Sequence, residues 1–158
     1  MKVLVTYDSY FINTQKVAEA VADALQQAGA QVTFERLYQV DFNAISEIEL
    51  LVVGAPTHNQ GMPRPVKSVL KKLPKGILTS KQVLAFDTRY KMPAKISGSA
   101  AKQILKLLER LGGYPAAQPE SFFVQERRGP LYPGELERAR TWAQGILKEI
   151  RLPVEESV

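Results

Sequence analysis

The sequence has no cysteine and only one histidine, His58, among its 158 residues. Without cysteine the chain cannot form disulfides, thiolate nucleophiles or cysteine-ligated metal sites, and a single histidine disfavours a histidine-based metal centre. A chain without cysteine suits a reducing compartment, so we expect a cytoplasmic protein. No apolar run approaches the roughly 20 residues that cross a bilayer, and no signal peptide is recognisable, so we expect no membrane association.

Several signatures of enzymes and nucleotide-binding proteins are also missing. The sequence contains neither a Gly-x-Gly-x-x-Gly motif nor the Gly-Lys-Ser/Thr of a Walker loop. The third predicted strand ends in Gly54-Ala55-Pro56, not in the aspartate that a response regulator phosphorylates, and no serine–histidine–acid set is visible. The sequence therefore predicts no catalytic residues and no metal ligands.

Composition and charge are those of an ordinary globular domain. Hydrophobic residues make up 45% and charged residues 23% of the chain, so we expect one domain over residues 1–150 and a C-terminal tail over 151–158. The net charge is +5. The basic residues form no dense run and are not interleaved with aromatic residues, which disfavours nucleic acid and leaves an acidic protein partner as the expectation.

Apolar runs alternate with amphipathic segments along the chain. Five strands are predicted, at residues 2–7, 31–35, 50–54, 82–86 and 121–124. Helices are predicted at residues 14–28, after Pro63 to Leu73, from Ser97 as the N-cap to about Leu111, and from Glu135 to Ile150. This alternation predicts an α/β protein with a parallel, doubly wound sheet and right-handed crossovers.

Three predicted loops leave the carboxyl ends of neighbouring strands, at residues 8–13, 55–61 and 87–95. Ligands of such sheets bind outside this edge. The first loop opens a helix, and the free N–H groups and dipole of a helix N-terminus attract anions. Ser9, Asn13 and Thr14 add short polar side chains at the same point, so the sequence predicts a phosphate-binding loop.

Two of these loops resemble the flavin loops of flavodoxins. The segment Tyr7-Asp8-Ser9-Tyr10-Phe11-Ile12-Asn13-Thr14 resembles their first loop, and Gly54-Ala55-Pro56-Thr57-His58 resembles their second. Later segments such as Phe86-Asp87-Thr88-Arg89 extend the likeness to about Ile150. The chain lacks a long insertion in the fifth strand, so it resembles the short-chain type.

The resemblance implies a flavodoxin-like three-layer αβα sandwich with a five-stranded parallel sheet of order 2-1-3-4-5. It also implies non-covalently bound FMN and one-electron transfer through its semiquinone. Carried onto this sequence, the phosphate loop comprises Ser9, Tyr10, Phe11, Ile12, Asn13 and Thr14. Two further loops flank the isoalloxazine ring, comprising Pro56, Thr57, His58, Asn59 and Gly61 and then Asp87, Thr88, Arg89 and Tyr90. Stacking on the ring is expected from Tyr90 or His58, and a peptide flip is expected near Gly61.

The sequence departs from the flavodoxin pattern at three points. Ile12 stands where the family usually has glycine, and because isoleucine resists positive φ we expect a different loop backbone or weaker phosphate binding. The chain is basic where flavodoxins of electron transport are usually acidic. The third loop carries Arg89 and Lys91, with Arg127 or Arg128 beyond it, and such cations should make the flavin easier to reduce.

Three functions remain open at this point. The first is an FMN-binding electron carrier that works with an acidic redox partner protein, as a monomer or weak dimer. The second is an FMN-dependent reductase that takes a hydride from NAD(P)H and passes electrons to a quinone or similar acceptor. The third is a flavodoxin fold that has lost FMN and serves as a binding module, for which Ile12 is the main indication.

Overall fold

The computed structural model describes residues 1–151, which form a sheet covered by helices on both faces. The strands are β1 (Lys2–Tyr7), β2 (Gln31–Arg36), β3 (Leu50–Pro56), β4 (Gln82–Tyr90), β5 (Tyr114–Pro115) and β6 (Glu120–Val124). The helices are α1 (Asn13–Gln27), α2 (Arg64–Lys71), α3 (Ala94–Ser97), α4 (Ala100–Arg110) and α5 (Glu135–Arg151). Two short 3-10 helices, Leu37–Gln39 and Phe42–Glu47, connect β2 to β3.

All strand pairs in the sheet are parallel, and their order is β2-β1-β3-β4 followed by a fifth position. That position is shared by β5, which pairs with Gln82 and Val83, and β6, which pairs with residues 86–90 of β4. Pro115 and Pro119 bracket the gap between the two pieces, and proline lacks the N–H that would continue a ladder. The predicted parallel sheet of order 2-1-3-4-5 is confirmed, with its last strand divided in two.

The helices lie in two layers, one on each face of the sheet. On one face α1 and α5 pack against each other and cover a core that includes Val5, Leu50 and Phe86. On the other face α2 and α4 cover a core that includes Leu51 and Val83. Because successive side chains of a strand point to opposite faces, each central strand contributes to both cores. The predicted apolar faces of the helices are the ones buried here.

Several predicted boundaries differ from the structure, and α2 ends at Lys71 rather than at Leu73. The strands β3 and β4 continue to Pro56 and Tyr90 because they stay paired there, so residues that we expected in loops belong to the sheet. The N-cap of the third long helix is Ser99, not Ser97, because Gly98 adopts φ 74° and separates α3 from α4. The Ser99 hydroxyl then accepts the N–H of Lys102 at 3.3 Å.

Helix α5 runs one residue into the segment expected as a tail, and the rest of that segment, residues 152–158, lies outside the described residues. Among residues 1–151, no helix is both long enough and apolar enough to span a membrane.

Candidate functional site

A cavity of about 400 Å³ opens at the carboxyl edge of the sheet, where the chain leaves β1, β3 and β4. Its volume lies within the range of roughly 300–1,000 Å³ typical of small-molecule sites. Eleven predicted site residues line it, namely Tyr10, Phe11, Asn13, Thr14, Pro56, Thr57, His58, Asn59, Thr88, Arg89 and Tyr90. The three predicted loops therefore converge on one site, and each of them supplies one wall.

The first wall is the β1–α1 loop, residues 8–12. The backbone N–H groups of Tyr10, Phe11 and Ile12 donate to no other residue that the structure describes. The Ser9 hydroxyl is buried and has no hydrogen-bond partner in residues 1–151. The first turn of α1 contains no acidic residue. This wall thus combines unused donors with the positive end of a helix, which is the arrangement that binds phosphate.

Ile12 is the N-cap of α1 and adopts a left-handed conformation, with φ 64° and ψ −21°. A β-branched residue in this region costs roughly 1–3 kcal/mol. Isoleucine therefore takes the positive φ that we expected it to resist, and the strain is stored in the loop. Its side chain is 55% exposed and does not line the cavity. The expected weakening of phosphate binding stays a prediction.

The second wall is a tight turn in the β3–α2 loop. The N–H of His58 donates to Gly61 O at 2.8 Å, and the N–H of Gly61 donates to His58 O at 3.1 Å. Asn59 and Gln60 between them have φ 47° and 66°, the mirror-image turn that normally favours asparagine and glycine. The residues with positive φ in this turn are thus Asn59 and Gln60, not Gly61. Gly61 has no side chain, and the side chain of Gln103 packs in the space that one would fill.

The first and second walls touch through two aromatic side chains. The rings of Tyr10 and His58 meet edge to face, with centroids 5.3 Å apart. Burial, with a smaller contribution from the nearby Asp8 carboxylate, raises the pKa of Tyr10, so its phenol stays neutral at physiological pH. Tyr10, His58 and Tyr90 all line the cavity, and Tyr90 is 40% exposed. These three side chains offer flat surfaces to a planar ligand.

The third wall is formed by the end of β4 and the segment through α3, and Arg89 holds it together. The Arg89 Nη1 group donates to Met92 O at 2.6 Å and to the Ser97 hydroxyl at 3.0 Å. Its Nε group donates to the Ser121 hydroxyl at 2.8 Å on β6. Arg89 is therefore a structural cross-link between the sheet and the cavity rim as well as a lining residue.

Asp87 lies behind this wall and does not line the cavity. Its Oδ2 accepts hydrogen bonds from the Ser99 hydroxyl at 2.6 Å and from the N–H of Ala101 at 3.0 Å, so it caps α4. Its Oδ1 lies 3.9 Å from Nε of Arg89. The positive charge of Arg89 is thus balanced by a buried carboxylate, which weakens the expected effect of this arginine on a bound flavin.

A second network supports the third wall from the side of α5. Arg138 donates to Ser121 O and to both carboxylate oxygens of Glu135, at 2.9 and 2.7 Å. Glu135 also accepts the N–H of Phe123 at 2.8 Å. Burial raises the pKa of Glu135, but the hydrogen bonds from Arg138 and Phe123 outweigh it and leave the pKa below its ordinary value. The phenyl ring of Phe123 lies between Arg89 and Arg138, 5.1 and 5.6 Å from their guanidinium carbons.

The structure also shows lining residues that the sequence reasoning missed. They are Gln60, Met92, Ile96, Ser97, Val124 and Arg127. Of the predicted residues, Ser9, Ile12, Gly61 and Asp87 do not line the cavity. Gln60 and Met92 lie within the predicted loops 55–61 and 87–95, although neither was among the residues expected to bind the cofactor. Val124 and Arg127 come from β6 and the loop after it; Arg127 was expected only as a cation near the flavin, and no local signal marked it as a lining residue.

Arg127 and Arg128 reach the first wall from this distant loop. Their guanidinium carbons lie 5.9 and 5.8 Å from the ring centroid of Phe11. The loop packs closely on the start of α1, because a Cβ on Gly129 would lie 2.6 Å from Oδ1 of Asn13. Gly129 also has φ 98°, which favours glycine. Close packing of this glycine therefore brings two cations next to Phe11 in the β1–α1 loop.

The fold and the site define an α/β protein with a ligand cavity at the topological switch point of a five-stranded parallel sheet. Residues 5–113 match the flavodoxin family model. The chain therefore belongs to the flavodoxin family, whose members typically bind FMN and serve in electron transport.

Comparison with individual proteins agrees with this assignment. The rubredoxin-oxygen oxidoreductase of Megalodesulfovibrio gigas is 25% identical over 154 residues, which are 95% of this chain and 36% of that protein. The chain thus spans about a third of this relative's length. The structure of flavodoxin 2 from Bacillus cereus gives a TM-score of 0.79 at 15% identity, covering 94% of this chain and 99% of that one. A short-chain flavodoxin associated with a PDU bacterial microcompartment gives 0.76 at 21% identity, covering 94% and 98%. Both structures share the fold.

Proposed function

We propose that this chain binds FMN in the cavity and transfers electrons between protein partners. The observation that carries the proposal is the β1–α1 loop, where the buried, unpaired Ser9 hydroxyl is followed by three backbone N–H groups without a partner in residues 1–151, two of them on the cavity-lining Tyr10 and Phe11. A buried polar atom without a partner is costly in a protein interior. A bound phosphate would satisfy these donors together, so the residues present fit the phosphate end of FMN.

The remaining walls fit the planar end of the same cofactor. Tyr10, His58 and Tyr90 supply aromatic surfaces around an opening of about 400 Å³, and Met92 and Ile96 supply apolar ones. When bound, FMN supplies a centre that accepts and returns single electrons. Residues of the 58–61 turn and of the third wall line the same cavity and would border the bound cofactor on two further sides.

Binding is tested with the purified chain by its visible spectrum and by calorimetric titration with FMN. We expect an FMN spectrum shifted from that of free FMN and binding of one FMN per chain. A colourless protein that takes up no FMN would favour the binding-module alternative. Steady oxidation of NAD(P)H with a quinone, without an added reductase, would instead favour the reductase alternative.

The positive charges near the site give the proposal a quantitative test. Arg127, Arg128 and Lys91 form no ion pair within residues 1–151, whereas Arg89 is balanced by Asp87. Unpaired cations near the ring favour the reduced, anionic flavin. We expect potentiometric titration to show an FMN that is easier to reduce than in an acidic flavodoxin. Replacing both arginines by glutamine should lower the potential, and an unchanged potential would contradict the electrostatic explanation.

A further inference from the structure

The charges of this chain are separated along its sequence. Residues 50–108 contain eleven lysines and arginines and one acidic residue, Asp87, which gives a net charge of +10. The rest of the chain contains ten basic and fifteen acidic residues, a net charge of −5. Asp87 is fully buried. The accessible surface contributed by residues 50–108 therefore carries cations and no anion.

In the folded molecule most of these cations belong to one helical layer. Helices α2 and α4 pack side by side on the same face of the sheet. We define the α2/α4 face as the exposed cations of α2, of the turn after it and of the first two turns of α4, namely Arg64, Lys67, Lys71, Lys72, Lys75, Lys102 and Lys106. None of these side chains forms an ion pair within the part of the chain that the structure describes. At the end of α4 the exposed Glu109 and Arg110 cancel in charge. On the opposite layer both signs of charge are present and some pair with each other, as Arg140 and Glu137 do on α5.

The α2/α4 face is continuous with the rim of the cavity. In a parallel α/β sheet each helix runs back from the carboxyl edge, so the first turns of α2 and α4, with Arg64 and Lys102, lie at the same edge as the cavity. The rim segment between them, residues 90–97, exposes Tyr90, Met92 and Ile96 by 40%, 37% and 63%. Two exposed lysines, residues 91 and 95, alternate with these apolar side chains.

We propose that an acidic redox protein docks on residues 90–97 and the adjoining α2/α4 face, with Met92 and Ile96 at the centre of the contact. This inference rests on the proposed function, because it names the partner of the same site. An apolar centre surrounded by charge is the anatomy of a protein interface. Complementary charge steers a partner to such a surface and keeps the complex short-lived, as electron exchange requires.

The kind of cation favours a protein over a nucleic acid. Six of the seven cations of the α2/α4 face are lysines. Lysine is a mobile point charge suited to long-range attraction, whereas arginine binds phosphates in a fixed, bidentate geometry. The exposed apolar side chains of the rim likewise suit a protein surface. Preferential binding to an anionic membrane or to a nucleic acid is the alternative that the test distinguishes.

The test uses the full chain and a 20-residue poly-L-glutamate peptide as a probe of an acidic protein surface. Binding is followed by NMR chemical shifts at low salt and at about 150 mM salt, where the screening length is about 8 Å. We expect shifts in residues 90–97, α2 and α4, and few in α1 and α5.

The variant K102E/K106E should weaken binding at least about tenfold, since electrostatic steering and attraction reach that size. The control K2E/K148E changes the net charge equally on exposed sites away from this face and should change binding by less than about twofold.

Three results would overturn the proposal. The first is an equal loss of binding in both variants, which would indicate attraction by net charge alone. The second is peptide contact confined to α1 and α5. The third is tighter binding, at the same salt, of a dT20 oligonucleotide or of vesicles containing phosphatidylglycerol.

The mapping needs no cofactor, so a chain that binds the peptide here but takes up no FMN would refute the proposed function and leave the surface intact. A chain that binds FMN but not the peptide would refute the docking surface and leave the proposed function intact.

Discussion

The first and third walls of the cavity are built in opposite ways. In the first wall, Ser9 and three backbone N–H groups have no partner in residues 1–151, and Ile12 adopts a strained backbone conformation. In the third wall, the hydrogen bonds of Asp87 with the start of α4 and those of Arg89 with β6 and the rim are joined into one network by the 3.9 Å ion pair between Asp87 and Arg89. The comparison indicates that a ligand completes the first wall, whereas the third wall is already rigid before any ligand arrives.

The largest effect should come from removing the buried carboxylate of the third wall. Asp87→Ala deletes the cap of α4 and leaves the guanidinium of Arg89 uncompensated, so we expect a loss of about 3 kcal/mol in the free energy of unfolding. Urea denaturation of the FMN-free protein measures it. Asp87→Asn, which keeps the shape and one acceptor oxygen, should lose less. A loss below about 1 kcal/mol for the alanine variant would show that the network is not what makes this wall rigid.

Removing the arginine of the same network should have the next largest effect. Arg89→Met keeps a comparable apolar stem but loses the bonds to Met92 and Ser97, and we expect a loss of about 2 kcal/mol. Amide hydrogen exchange should accelerate in residues 92–98 before the rest of the sheet opens. The double variant with Asp87→Ala should lose less than the sum of the single losses, because the two side chains share one network. Strict additivity would contradict that coupling.

The first wall should respond in the opposite direction. Ile12→Gly relieves the left-handed strain but makes the unfolded chain more flexible, so we expect a net gain of about 1 kcal/mol. FMN should also bind more tightly if the pocket is otherwise intact, as calorimetric titration would show. Ile12→Asn is the matched control, because asparagine tolerates this conformation and keeps a side chain. An unchanged dissociation constant in both variants would show that Ile12 does not limit binding.

Acid should weaken the contact between Glu135 and Arg138 that supports the third wall, and this is the smallest of the expected effects near neutral pH. The pKa of Glu135 is lower in the folded protein than its ordinary value of 4.5. Its contribution to stability is therefore fully present above that value and is lost as the pH falls through the lowered folded pKa. Each unit of lowering is worth about 1.4 kcal/mol. Glu135→Gln should flatten the acid limb of the stability curve, whereas Glu137→Gln on the exposed side of α5 should not. Equal acid limbs in the two variants would show that the charge of Glu135 does not contribute to the stability of the protein.

The same two walls show how far the sequence could predict this molecule. The strands and helices follow from apolar periodicity, which local sequence encodes directly, whereas the strand order came from the resemblance to flavodoxins. The position of the β1–α1 loop at the cavity was also predictable, because a strand, a short polar loop and a helix follow one another in the chain. The conformation of Ile12 was not, since isoleucine has no local preference for positive φ and the surrounding structure imposes it.

The third wall was harder to predict because its residues act over long distances in the sequence. Asp87 resembled a flavin-contacting residue but serves Ser99 and Ala101, twelve and fourteen residues away. The choice of Ser99 over Ser97 as the helix cap depends on that carboxylate and on Gly98. Arg127 reaches the cavity only because Gly129 packs against Asn13. Such contacts are decided by tertiary packing, and no periodic pattern marks them.

The contact between His58 and Tyr10 has a practical consequence for spectroscopy. His58 is the only histidine of the chain, so its imidazole protons give a single, unambiguous pair of NMR signals. Because the ring meets Tyr10 edge to face at the junction of two walls, the aromatic ring current shifts those signals according to the distance between the walls. The chemical shifts of these two protons can therefore report, without an attached label, how far apart the first and second walls lie at the mouth of the cavity.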